Sequence, residues 1–195
     1  MSTKTQTDVF NPKASPEAAY NYAFGFLGER WIEGESIILS DPYWAYYYAR
    51  NVLKERWFEA ESIISTDVFP AYQYALELVN APWIEAESAI SKDAQFSYFY
   101  AKNILKGRFE IGETAIATAA SYSVAYARDV IKGRFEAGEY AISQDGLLSY
   151  EYALKALHGR FKAGEKAISE FKNLTKDYID GVLLGVIPDD APYLV

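Results

Sequence analysis

Arginine recurs at a fixed step in this chain, as Arg30, Arg56, Arg108, Arg134 and Arg160, and each is followed five residues later by a glutamate: Glu35, Glu61, Glu113, Glu139 and Glu165. A guanidinium and a carboxylate so placed can close a bidentate charge pair. The expected role is structural, a salt-bridge ladder that satisfies half-buried charges within a repeat or against its neighbour. The functional alternative is an arginine row that holds phosphates or acidic peptides. Pro82 stands where a further arginine would fall, so Glu87 must find solvent, Arg56, Arg108 or a ligand.

Other reactive chemistry is sparse. The chain has no cysteine, which removes disulfides, thiolate metal sites and cysteine nucleophiles. Its single histidine, His158, fills a slot otherwise held by Lys54, Lys106 and Lys132 and reads as a surface residue. A glycosidase-type pair needs carboxyls roughly 5–10 Å apart in a cleft, and no pair of acids stands out from the repeat. Glycine-rich phosphate loops, nucleophile elbows and metal-ligand spacings are missing. The expectation is a protein with no catalytic residues, no metal and no cofactor, hence not an enzyme. With 19 basic and 27 acidic side chains the formal charge is −8. Such a chain repels a phosphate backbone on average, which speaks against nucleic acid and anionic membranes as partners. No run approaches a membrane span and the N-terminus lacks an apolar signal core, so a cytoplasmic location is expected.

The elements that position these residues follow from periodicity. Tyrosine returns every 26 residues, at Tyr22, Tyr48, Tyr74, Tyr100, Tyr126, Tyr152 and Tyr178. In phase with it run an isoleucine column (Ile38, Ile64, Ile90, Ile116, Ile142, Ile168) and an aromatic column (Trp31, Trp57, Trp83, Phe109, Phe135, Phe161). A further column reads Ser15, Asp41, Asp67, Asp93, Ala119, Asp145; all but the alanine can cap a first helical turn. Pro16 and Pro42 follow at the first helical position, where a missing N–H does no harm. Ala45, Tyr48, Ala49, Val52 and Leu53 then lie on one face of a 3.6-residue helix. Gly107, Gly133 and Gly159 read as helix stops, and a shorter second helix follows, as in 58–65.

Neither helix alone can hide its apolar face, so the units must stack. The fold expected is all-α: an α-solenoid of six 26-residue helix-turn-helix repeats, 15–40, 41–66, 67–92, 93–118, 119–144 and 145–170. A C-terminal capping helix and tail occupy 171–195, with Pro188–Pro192 ending the helical part, and a flexible N-terminus occupies 1–14.

The stretch Asp41-Pro42-Tyr43-Trp44-Ala45-Tyr46-Tyr47-Tyr48-Ala49-Arg50-Asn51-Val52-Leu53-Lys54-Glu55-Arg56-Trp57-Phe58-Glu59-Ala60-Glu61 resembles a short helical repeat of tailed-phage proteins. Tyr126-Ala127-Arg128-Asp129-Val130-Ile131-Lys132-Gly133-Arg134-Phe135 resembles it as closely, and the likeness spans about 15–170. The resemblance implies a viral origin, a helical-repeat fold and a location in the host cytoplasm. It implies no activity. The third repeat departs from the pattern, with Asn80-Ala81-Pro82-Trp83 in place of the Lys-Gly-Arg-aromatic turn.

Tyrosines 20, 46, 72, 98 and 150 flank the apolar stripe and read as packing residues whose hydroxyls reach turn carbonyls. Tyr43, Trp44, Tyr47, Phe69 and Phe99 have phases that point outward. An exposed apolar stripe marks an interaction surface, so these five are the candidate partner-binding residues, for another protein or for self-association. The leading expectation is a non-enzymatic binding protein that modulates or inhibits a host or defence protein. Two alternatives stay open: a protein that sequesters a small molecule or nucleotide, and an acidic mimic of nucleic acid.

Overall fold

The computed structural model describes residues 11–194 apart from Ile187, so most of the N-terminal segment expected to be flexible lies outside the described residues. The described residues form thirteen α-helices and no strand. The longer arm of each hairpin begins with α1 (Pro16–Asn21), α3 (Pro42–Tyr48), α5 (Val68–Tyr74), α7 (Ala94–Phe99), α9 (Ala120–Tyr126) and α11 (Gly146–Tyr152). The return arms carry α2 (Ile32–Ile38), α4 (Glu61–Ile64), α6 (Ile84–Ile90), α8 (Glu113–Ala117), α10 (Glu139–Ser143) and α12 (Glu165–Ser169). Helix α13 (Lys172–Gly181) follows the last repeat.

The chain divides into two compact units, 1–80 and 81–195. The division falls in the third repeat, at the turn that lacks the arginine. In the first unit α1, α3 and α5 pack side by side, with α2 and α4 against them. In the second, α7, α9, α11 and α13 pack in chain order, with α8, α10 and α12 against them. Within each unit this is the packing of an α-solenoid built from 26-residue hairpins.

Capping fixes where the long arms start. Ser15 accepts from Ala18 N–H, Asp41 from Tyr43 and Trp44, Asp67 from Phe69, Asp93 from Phe96 and Asp145 from Leu148, at 2.9–3.2 Å. Ala119 begins α9 with no side-chain cap.

The long arm does not stay α-helical to its end. Each passes into a π-helical turn: Tyr22–Leu27, Ala49–Leu53, Ala75–Val79, Tyr100–Leu105, Ala127–Ile131 and Ala153–Leu157. The turn closes through one left-handed residue. That residue is Gly28, Lys54, Asn80, Lys106, Lys132 or His158, with φ between 50° and 71°. The glycines expected to stop the helix therefore come one position too late. Gly107, Gly133 and Gly159 instead donate six residues back, to Ala101, Ala127 and Ala153, as the final bond of a Schellman-type cap. His158 is exposed, as expected, but its backbone is what ends the helix.

Close approach of the two arms depends on paired small residues. In the second unit Ser97, Ser123 and Ser149 bond the carbonyls of Ile90, Ile116 and Ile142. Opposite them sit Gly112, Gly138 and Gly164, where an added Cβ would come within 2.4–2.8 Å of the serine Oγ. In the second repeat both places hold alanine, Ala45 and Ala60, and both are fully buried. Serine with glycine and alanine with alanine are two ways of filling one gap.

The C-terminal segment departs from expectation. Helix α13 ends at Gly181, so Val182 and Leu183 lie beyond it, and Leu184 adopts φ 56°. The helical part does not end at the prolines, since Pro192–Leu194 forms a 3-10 turn. Asp190 pairs with Arg160 and Lys162, Tyr193 donates to Glu165, and Ala191 and Leu194 are buried. The tail thus folds back over the last repeat.

Candidate functional site

The arginine-glutamate columns meet within each repeat. Arg30–Glu35, Arg56–Glu61, Arg108–Glu113, Arg134–Glu139 and Arg160–Glu165 close at 2.6, 2.8, 2.8, 3.2 and 2.6 Å. The Arg108 guanidinium, with help from the Tyr126 hydroxyl, holds the Glu113 carboxyl below the usual range.

Each glutamate also serves the next repeat. The hydroxyls of Tyr48, Tyr74, Tyr100, Tyr126, Tyr152 and Tyr178 donate to Glu35, Glu61, Glu87, Glu113, Glu139 and Glu165 at 2.8–3.2 Å. The same six oxygens accept the backbone N–H of Trp31, Trp57, Trp83, Phe109, Phe135 and Phe161 at 2.7–3.0 Å. Those amides lie where the chain turns into the return arm, with no helical partner of their own. A buried amide left unpaired would cost about 1–3 kcal/mol, so the tyrosine from the following copy completes the turn. Glu87, which has no arginine in its own turn, takes the Tyr100 hydroxyl. Each tyrosine ring packs on the aromatic of its own repeat, as in Tyr126–Phe135 and Tyr152–Phe161 at centroid distances of 5.2 and 4.9 Å.

A second seam runs through the flanking tyrosines. Their hydroxyls were expected at turn carbonyls and instead meet polar side chains 31 residues on: Tyr20 with Asn51, Tyr46 with Glu77 and Tyr98 with Asp129. The reason is reach, because each ring spans to the neighbouring long arm rather than along its own. Arg128 and Lys102 close on Asp129 as well, and hold its carboxyl well below the usual range. The fifth repeat carries Val124 in the tyrosine's place, and the residue 31 further on is Lys155, which turns to Glu151.

The five candidate partner-binding residues are less open than their helical phase suggests. Tyr43 is exposed, whereas Trp44, Tyr47, Phe69 and Phe99 are half-buried. Side-by-side long arms let large rings bridge them. Trp44 lies on Tyr20 at 5.2 Å, Tyr47 on Tyr43 at 4.6 Å, and Tyr43 on Phe69 at 5.9 Å. Phe99 lies between Tyr98 and Tyr122, at 5.2 and 6.4 Å. In the first unit these rings form an aromatic band of which Tyr43 is the most open part.

A more exposed apolar row was missed by the sequence reading. It sits at the first residues of the return arms: Ile32 (70% exposed) and Phe58 (67%) in the first unit, Ile84 (77%) and Ile111 (57%) in the second. The signal was present, since Ile32, Phe58 and Ile84 follow the buried aromatic column by one residue. A short helix with a single buried face leaves that next position in solvent.

Clefts add little chemistry. One of about 250 Å³ is lined by Arg108, Arg134 and Glu136, but both arginines are engaged by Glu113 and Glu139. Among the described residues, no cluster of three or more histidine, aspartate or glutamate side chains could hold a metal ion, and no helix is long and apolar enough to cross a membrane. No known family model, curated protein or solved structure matches this chain.

Proposed function

We propose that this protein is a non-enzymatic helical-repeat scaffold that binds a protein partner. By its resemblance to tailed-phage repeat units, we further propose that the partner is a host or defence protein that it modulates or inhibits. The observation that carries the binding reading is a large apolar side chain at 67–77% exposure in the same slot of three successive repeats, Ile32 and Phe58 in the first unit and Ile84 in the second. The frame beneath is self-sufficient. Its arginines, glutamates and tyrosines satisfy one another; the Arg56 guanidinium lies over the Phe58 ring, but later repeats hold Glu110, Glu136 and Lys162 in that slot, so the frame does not require an apolar residue there. Apolar groups gathered in solvent on such a frame are characteristic of an interaction surface.

The test is site-specific photo-crosslinking in host lysate. A crosslinker at position 58 or 84 should enrich one protein by mass spectrometry, and a crosslinker at position 177 on α13 should not. Equal yields at all three positions would refute the reading.

A further inference from the structure

The apolar row is bordered by acids. In the first unit Glu29, Glu33, Glu55 and Glu59 are exposed around Ile32 and Phe58, and none forms an ion pair among the described residues. Glu35 and Glu61 hold the Arg30 and Arg56 guanidinia, the second of which also lies 4.7 Å over the Phe58 ring. Lys54 is exposed nearby and the Lys13 ammonium lies 5.8 Å from the Trp31 ring, so four carboxylates face two ammonium groups. In the second unit exposed Glu85 lies beside Ile84 in the same way, and the next repeat exchanges the two slots, with exposed Glu110 before exposed Ile111.

Charge and spacing together point to one kind of occupant. The long arms α1 and α3 that lead into these turns pack side by side, and packed helices lie ~8–10 Å apart, which gives the step between successive turns. An α-helix rises ~1.5 Å per residue, so side chains at i and i+7 share a face and stand ~10.5 Å apart. An extended strand advances ~6.6 Å between same-face residues and fits that step poorly. We propose that the row Ile32–Phe58, with Glu29, Glu33, Glu55 and Glu59 around it, docks a basic amphipathic helix of the partner laid across the return arms. Apolar residues at i and i+7 cover Ile32 and Phe58, and the flanking lysines or arginines meet the four carboxylates. This deepens the scaffold reading and rests on it.

The experiment uses the full chain and three synthetic peptides read by fluorescence anisotropy. The first is a leucine-lysine peptide with leucines on one helical face. The second has glutamate in place of lysine. The third has the composition of the first in an order that scatters the leucines. The first should bind about tenfold tighter than the third, and the second should not bind. Ile32→Ser with Phe58→Ser, and separately Glu33→Lys with Glu59→Lys, should each weaken the first peptide by about tenfold or more. Asp177→Lys with Asp180→Lys makes the same change in net charge on α13 and should leave affinity within about twofold. All these positions are exposed, so circular dichroism melts should coincide. Equal binding of the scattered peptide, or equal weakening by the α13 pair, would reduce the effect to bulk charge and overturn the proposal. A dimer that Ile32→Ser with Phe58→Ser dissociates would overturn it in favour of a second copy. If the apolar pair abolishes crosslinking to the lysate partner while the leucine-lysine peptide never binds, the helical occupant fails and the scaffold reading stands.

Discussion

Replacing Tyr126 by phenylalanine removes one oxygen and keeps the ring that packs on Phe135. That oxygen accepts the buried Phe109 N–H at 2.9 Å and donates to Glu113 at 2.8 Å. Phenylalanine cannot serve the amide, and water cannot reach it, since Phe109 is buried. An orphaned buried N–H costs about 1–3 kcal/mol, and a hydrogen bond to a charged acceptor is worth about 1.5–3 kcal/mol. Glu113 keeps Arg108, so part of the second loss is recovered. The expected destabilisation is about 2–4 kcal/mol. Urea unfolding followed by circular dichroism measures it. Tyr140→Phe, on an exposed side chain, is the reference and should stay within about 0.5 kcal/mol of the parent. A double-mutant cycle with Glu113→Gln should show coupling, because the hydroxyl and carboxylate touch. If Tyr126→Phe unfolds with the reference, the seam stabilises nothing and the account of why tyrosine recurs is wrong.

Other perturbations probe the remaining parts of the frame. Glu61→Ala strips an acceptor from both Arg56 and Tyr74 and should destabilise by about 1–3 kcal/mol, while loss below about 0.5 kcal/mol would show the ladder to be ornamental. Gly138→Ala puts a methyl within 2.6 Å of Ser123 Oγ and 2.8 Å of Phe135. It should cost about 1–3 kcal/mol, and Ser123→Ala should recover part of that in the double variant; a worse double variant would refute the pairing of the two columns. Burial pushes the Tyr48, Tyr126 and Tyr152 hydroxyls up to about 12 from an ordinary 10.0, and raises Tyr74, Tyr100 and Tyr178 too. The folded state holds these protons more tightly, so their contribution is whole below the unfolded value and is lost as pH rises through the folded one. The urea midpoint should hold to about pH 9 and fall steeply above about pH 10, and a midpoint unchanged up to about pH 12 would contradict the burial.

Most of the frame was legible because one rhythm governs it. The tyrosine, isoleucine and aromatic columns never slip, and the caps at Ser15, Asp41, Asp67, Asp93 and Asp145 mark every long arm but one. Four features were not legible. The π-helical turn depends on where the backbone closes, and Lys54, Asn80 or His158 as left-handed residues have no strong signature, which is why the adjacent glycines were taken as the stop. The 31-residue link from Tyr46 to Glu77 joins different repeats, and periodicity alone reveals columns rather than the contacts between them. The aromatic band was misjudged because helical phase assigns Trp44 and Tyr47 to solvent without knowing that a neighbouring arm lies alongside. The row at Ile32 and Phe58 was overlooked because its slot turns to Glu110, Glu136 and Lys162 in later repeats, and only unvarying columns stand out.

Because every turn borrows its tyrosine from the copy that follows, the chain has a direction in its tolerance to shortening. Trimming from the front discards only donors and acceptors that travel together, and leaves a hydroxyl that water can serve. Cutting at the back strands an amide and a carboxylate in an apolar setting. The final helix, which keeps Tyr178 while abandoning most of the motif, is the minimum that lets the series stop.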